Sequence, residues 1–190
     1  GATLLTVALG DMVWPAGHPE RAGWKTALRT PLASTKAVLE NPKHTIVGHN
    51  LAFDVCWIEK ALGIRVRAKL FDTMIAQYRI DENAENNLEA VAQRWLGEGK
   101  LDDVDRRKLA EEPLAKVLKY NLRDAQLAKR LHEPLFHQLV LEGTRPLFER
   151  DMRLLRILVD MRHRGFRLDW KRLAEVGRTT QSAIDVLETS

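Results

Sequence analysis

Two carboxylates stand about seventy residues apart in this chain, each with aromatic and amide neighbours. The first is Asp54, ending the run His49-Asn50-Leu51-Ala52-Phe53-Asp54. The second is Asp124, ending Tyr120-Asn121-Leu122-Arg123-Asp124. Ionised carboxylates are hard oxygen donors, and two brought together can hold a divalent cation such as Mg²⁺ or Mn²⁺. A pair of such ions, roughly 3.5–4 Å apart, clamps the attacking and leaving oxygens of a phosphodiester and helps deprotonate water. Asp54 and Asp124 are therefore the candidate metal ligands and catalytic carboxylates. Tyr120 lies four residues before Asp124, so on a helix the two share a face, and its hydroxyl can orient metal-bound water. His49 and Asn50, at a strand-to-helix junction, can donate to a nucleotide phosphate or sugar.

Taken singly, each of these residues has a duller role. An Asp in the first turn of a helix usually serves as a cap or a dipole partner. A Tyr and an Asp one turn apart are mostly surface decoration. Asp72 caps the helix that follows it. His18, His44, His132, His137 and His163 show no metal-ligand spacing and read as structural. Cys56, on an apolar helix face, reads as core. Asp102, Asp103 and Asp105 read as a solvated loop.

The elements that must position the pair follow from periodicity and punctuation. Thr3–Leu9 and Met12–Trp14, separated by Gly10-Asp11 and stopped by Pro15, form a hairpin pattern. Residues 24–39 are helix-like and close at Asn41-Pro42. Thr45–His49 is a short apolar strand. Residues 51–62 follow as a helix with apolar positions near period 3.6, capped by Gly63. Lys69–Asp72 is a strand and Thr73–Ile80 a helix. A polar loop over 81–86 leads to a helix over 88–96, stopped at Gly97. Pro113 opens a long helix toward Leu141, with Gly143 as its stop. Helices over 145–163 and 170–188 complete the chain, separated by Gly165 and the capping residue Asp169. Strands and helices interleave first, and helices alone fill the last third. That is an α/β layer with a helical extension.

Length and composition narrow the class. The 190 residues suffice for one domain, or one with an appendage, and for a substantial core. The apolar and charged fractions are those of a globular protein. No apolar run reaches the roughly 18–20 residues of a membrane span, and the N-terminus lacks the basic region of a signal peptide. The lone Cys56 cannot form an internal disulfide, which suits a reducing, cytoplasmic interior. A net charge of +4 permits a nucleic-acid partner without demanding one. The basic excess gathers between Arg145 and Arg172.

Four motifs in order carry a resemblance. They are the Thr45–His49 strand before Asn50-x-x-Phe53-Asp54, then Phe71-Asp72-Thr73-Met74, then Asn87-Leu88-Glu89-Ala90-Val91-Ala92-Gln93-Arg94-Trp95-Leu96-Gly97, and last Tyr120-x-x-x-Asp124. Together they resemble the 3′–5′ proofreading exonuclease domain of family A DNA polymerases, of the tyrosine subclass of DEDD exonucleases, along most of residues 3–141. The stretch from Glu149 to Asp169 is similar to the segment that begins the polymerase domain in those enzymes. The resemblance implies an RNase H-like α/β domain, a mixed sheet flanked by helices, over residues 1–143. It implies the helical start of a polymerase domain over 144–190. It also implies removal of 3′ nucleotides from DNA with Mg²⁺ or Mn²⁺. Asp54 and Asp124 would be metal ligands and Tyr120 the water-positioning residue. His49, Asn50 and Phe53 would seat the single-stranded 3′ end. The expected partners are a single-stranded 3′ end or primer-template and a polymerase domain in cis, in a bacterial or phage-infected cell, with no membrane.

One departure matters. The family's first motif, Asp-x-Glu, is absent: no Asp here has Glu two residues later. Thr3–Leu9 instead resembles the strand that follows that motif. Both ends therefore look cut, and with two of four metal-site carboxylates missing the chain alone is expected to be inactive or nearly so. The alternatives are a non-catalytic nucleic-acid-binding or scaffolding domain of a polymerase, and an RNA exonuclease of the RNase D kind.

Overall fold

The computed structural model describes residues 6–9, 12–15, 29–99, 108 and 110–189. Strands β1 (Thr6–Leu9) and β2 (Met12–Pro15) pair antiparallel, with Thr6 opposite Pro15 and Leu9 opposite Met12. The expected Gly10-Asp11 turn lies outside the described residues, as do residues 24–28 of the first expected helix and the 102–105 acidic stretch. Helix α1 (Arg29–Leu39) takes up the later part of that first helix. Pro31 falls in its first turn, where a backbone N–H would have no intrahelical partner anyway.

Strands β3 (Thr45–Gly48) and β4 (Lys69–Asp72) pair in parallel, with Thr45 opposite Lys69 and Gly48 opposite Asp72. Parallel neighbours need a crossover, and helix α2 (Leu51–Leu62) supplies it. Helix α3 (Thr73–Ile80) leaves directly from β4. Helix α4 (Leu88–Leu96) is capped by the Asn87 side chain and ends at Gly97, which adopts φ 66°. The long helix α5 (Leu114–Leu141) runs against both strand pairs. Among the described residues, the result is the expected α/β arrangement of parallel and antiparallel strands flanked by helices.

Successive residues of β4 point to opposite faces, and this divides the core in two. Leu70 joins Leu39, Leu51, Val55, Ile64 and Val66 on one side. Phe71 joins Ala76, Val91, Leu127, Leu131 and Leu135 on the other. There its ring meets His132 edge-on at 4.5 Å and Phe148 at 4.8 Å, so the part-buried His132 packs against the core.

Helix α6 (Arg145–Arg164) joins the two halves. Its buried residues, Phe148, Asp151, Leu155 and Val159, recur every three to four positions. Phe148 enters the Phe71 cluster, Leu155 and Val159 the Leu70 cluster, and Met152 packs against both. Polar clamps hold it there. Arg156 donates to the carbonyls of Val66 and, at 2.7 Å, Ala68. Asp151 pairs with Arg79. Glu59 on α2 accepts from Arg65 at 3.1 Å and from the Val66 backbone at 3.0 Å, and lies 3.1 Å from His163. Helix α7 (Trp170–Glu188) is capped by Asp169, which accepts from the N–H groups of Lys171 and Arg172. It buries no residue against the rest of the chain.

Candidate active site

Side by side, β3 and β4 end together, so the junctions Gly48–Leu51 and Asp72–Met74 are neighbours. Open α/β sheets bind ligands beyond the carboxyl ends of their strands. Here the two junctions are tied by one side chain. Asp72 is fully buried. Its Oδ1 accepts from the Met74 N–H at 2.9 Å, capping α3, and from the Asn50 N–H at 3.0 Å. Its Oδ2 accepts from the Leu51 N–H at 2.7 Å, so the same carboxylate also caps α2. Asp72 is thus the helix cap expected from the sequence, and in addition it serves a second helix 21 residues upstream. The signal that would have shown this is absent from local spacing, because the second grip is made across the sheet.

The α2 junction is shaped for that grip. Asn50 is the non-glycine residue with positive φ (62°) among the described residues, and its side chain makes no capping bond. The left-handed turn aims two consecutive N–H groups, those of Asn50 and Leu51, at one anion. A Cβ at Gly48 would run into the Leu51 side chain, which would then have to shift. Thr73 adds a further tie. Its hydroxyl donates to the Gly48 carbonyl at 3.1 Å and lies 2.9 Å from His49 Nδ1. The single hydroxyl proton is spent on the carbonyl, so Nδ1 carries the proton of the His49–Thr73 bond.

Asp54 stands in the first turn of α2. The residue as a whole is exposed to solvent, while enough protein surrounds its carboxyl to desolvate it in part. That burial, with the negative charges of Asp72 and Asp124 beside it, pushes its pKa up from 3.8 to about 7. Burial also raises Asp72, but the N–H groups of Asn50, Leu51 and Met74 draw it back in part. Asp124 is half-buried on α5, with Oδ1 shut off from solvent, and Tyr120 is half-buried one turn before it. Both interrupt an apolar stripe. The buried positions of α5 run Leu114, Val117, then Leu127, Ala128, Leu131, Leu135 and Leu139. Tyr120 and Asp124 fill the gap at the same spacing, and this break in the stripe is a sequence signal for the site.

The structure thus brings Asp54 and Asp124 into electrostatic reach of each other. Phe53, beside Asp54, is 52% exposed, with its ring 6.2 Å from that of Trp57. Asn50 is exposed and His49 half-buried at the same junction. Among the described residues, no group of three His, Cys, Asp or Glu side chains is placed to hold a metal ion. The oxygens of Asp72 are committed to backbone N–H groups. Asp54 and Asp124 are hard carboxylate donors of the kind a divalent ion takes, and these residues alone do not make a two-ion site.

A model of the 3′–5′ exonuclease family matches residues 19–140. The chain belongs to this family. It is of the type found in family A DNA polymerases: DNA polymerase I of Borreliella burgdorferi is 31% identical over 134 residues, 68% of this chain. The match spans only 14% of that polymerase's length. Among solved structures, Brucella melitensis NrnC superposes with a TM-score of 0.61 at 20% identity, over 68% of this chain and 63% of that one. A nuclease in its apo form gives a TM-score of 0.58 at 17% identity, over 69% and 64%. These likenesses are of fold, and the fold is RNase H-like α/β with C-terminal helices.

Proposed function

We propose that this exonuclease domain removes nucleotides from DNA 3′ ends by divalent-metal-dependent phosphodiester hydrolysis, as the proofreading part of a family A DNA polymerase. The carrying observation is the convergence of Asp54 and Asp124, from distant parts of the sequence, in a setting that lifts the Asp54 carboxyl to about 7. A cation between them would relieve their mutual repulsion. Asp54 and Asp124 would hold it, and it would supply Lewis-acid stabilisation of the phosphoryl oxygens. Tyr120 is assigned to position the attacking water. Asn50, Phe53 and His49 are assigned to the 3′ nucleotide, where the exposed Phe53 ring offers a stacking face. Residues 1–143 would form the exonuclease domain and 144–190 the start of the polymerase domain, in the cytoplasm of a bacterial or phage-infected cell.

A non-catalytic scaffold is the second possibility, favoured by the lack of a three-ligand set among the described residues. The test is 3′-end digestion of labelled single-stranded DNA with Mg²⁺ or Mn²⁺, in residues 1–190 and in the full gene product. Metal-dependent digestion by the full product that is lost in Asp124→Ala supports the exonuclease. Salt-sensitive DNA binding without digestion in either protein supports the scaffold.

A further inference from the structure

The grip of Asp72 on α2 is more than a helix cap requires. An α3 cap needs one acceptor oxygen, and an uncharged Asn or Ser provides it as well as Asp. Burying a carboxylate completely is costly unless its hydrogen bonds are made. Here the second oxygen, and a share of the first, go to the N–H groups of Leu51 and Asn50 across the sheet. Those two groups are where α2 begins, and Asp54 sits one turn further on. In a helix each residue turns about 100°, so fixing the first N–H groups fixes the direction in which the first-turn side chains leave.

The left-handed Asn50, the Cβ-free approach at Gly48 and the Thr73 tie all hold the same junction. A conformation that L residues avoid persists when its surroundings over-determine it, as they do here.

We propose that Asp72 is a positioning residue for the metal site: by binding the Asn50 and Leu51 N–H groups it sets the start of α2, and with it the place of the Asp54 carboxylate opposite Asp124. This rests on the proposed metal-dependent activity. Asp72 itself touches no metal, since its oxygens are occupied by backbone donors.

Asp72→Asn is the informative variant. It preserves size and the α3 cap, but it puts an amide NH₂ where an acceptor oxygen stood, facing a backbone N–H. The test is Mn²⁺ titration of residues 1–190 followed by electron paramagnetic resonance, with thermal melts to establish folding. The control is Gln77→Leu on the same helix. It removes the part-buried bond from Trp95 Nε1 to Gln77 Oε1 and leaves the α2 junction untouched. Mn²⁺ affinity is expected to fall about tenfold in Asp72→Asn, the scale for groups that orient metal ligands, and to hold in Gln77→Leu. Should Asp72→Asn not fold, Asp72→Glu, which keeps the charge and displaces it by one methylene, carries the same test. Wild-type affinity in the folded Asp72 variant overturns the proposal. So does an equal loss in Gln77→Leu, which would mean general loosening. Residues 1–190 that bind no Mn²⁺ would instead refute metal binding by Asp54 and Asp124 themselves, on which the proposal stands.

Discussion

Replacing Asp54 by Asn should stabilise the metal-free protein, although it removes a residue assigned to the site. The folded state raises the Asp54 pKa from 3.8 to about 7, mainly by burial and then by the charges of Asp72 and Asp124. Between those values the folded chain holds this proton better than the unfolded one does. Stability from this group is therefore present at low pH, declines as pH rises through roughly 4 to 7, and is fully lost above. At about 1.4 kcal/mol per unit, the whole shift corresponds to about 4 kcal/mol. Solvent reaches the side chain, so screening reduces the net effect to about 1–2 kcal/mol. For a chain of this size that is a rise in Tm of about 3–6 °C at pH 8.5. Thermal melts followed by circular dichroism in chelator, from pH 4 to 9, read the effect directly. The variant's advantage should fade toward pH 4. Mn²⁺ at ten times its Kd should raise the wild type by about 1.4 kcal/mol and leave the variant unmoved. An Asp54→Asn protein no more stable than wild type at pH 8.5, or one equally favoured at every pH, would refute the electrostatic account of the site.

Other outcomes follow from single contacts. Tyr120→Phe should slow 3′ digestion by the full gene product about tenfold to a hundredfold while Mn²⁺ affinity is unchanged, separating water positioning from metal binding. Asn50→Ala should cost about 1 kcal/mol in urea denaturation through its left-handed φ, whereas Asn50→Gly should stay near wild type. Leu131→Ala, at a fully buried position of α5, should cost about 3 kcal/mol. Arg156→Ala leaves the Val66 and Ala68 carbonyls without their donor and should cost about 2 kcal/mol by the same assay.

Most of the elements were legible in the sequence because their boundaries are marked by residues with one physical use. Gly63, Gly97, Gly143 and Gly165 all take positive φ at helix ends. Asn87, Asp72 and Asp169 accept from first-turn N–H groups. Period 3.6 placed α2 through its apolar Phe53, Trp57, Ile58 and Leu62, although the residues the helix buries are Leu51 and Val55 and Phe53 is exposed. What the sequence did not show was long-range. Spacing marked Asp72 as a cap for its own helix but could not reveal its hold on Leu51, because strand pairing brings those residues together. The same limit applied to α6. Its basic surplus was plain in the sequence, but its partners were not: Arg156 turns inward to two carbonyls, and Asp160 on the same helix is taken by Arg65. The adjacency of Asp54 and Asp124 is likewise a property of α5 lying across the strands.

The seating of α6 governs what can be attached beyond it. Its twenty residues form a rod about 30 Å long. Arg156 fastens that rod to the segment entering β4, and His163 to the far end of the helix that carries Asp54. Gly165, at the end of that rod, is thus carried on a lever, not a tether. Its distance from the Asp54 carboxylate would be set by helix rise instead of by the statistics of a flexible linker. Adding a single residue to α6 would swing whatever follows by about 100° around the rod.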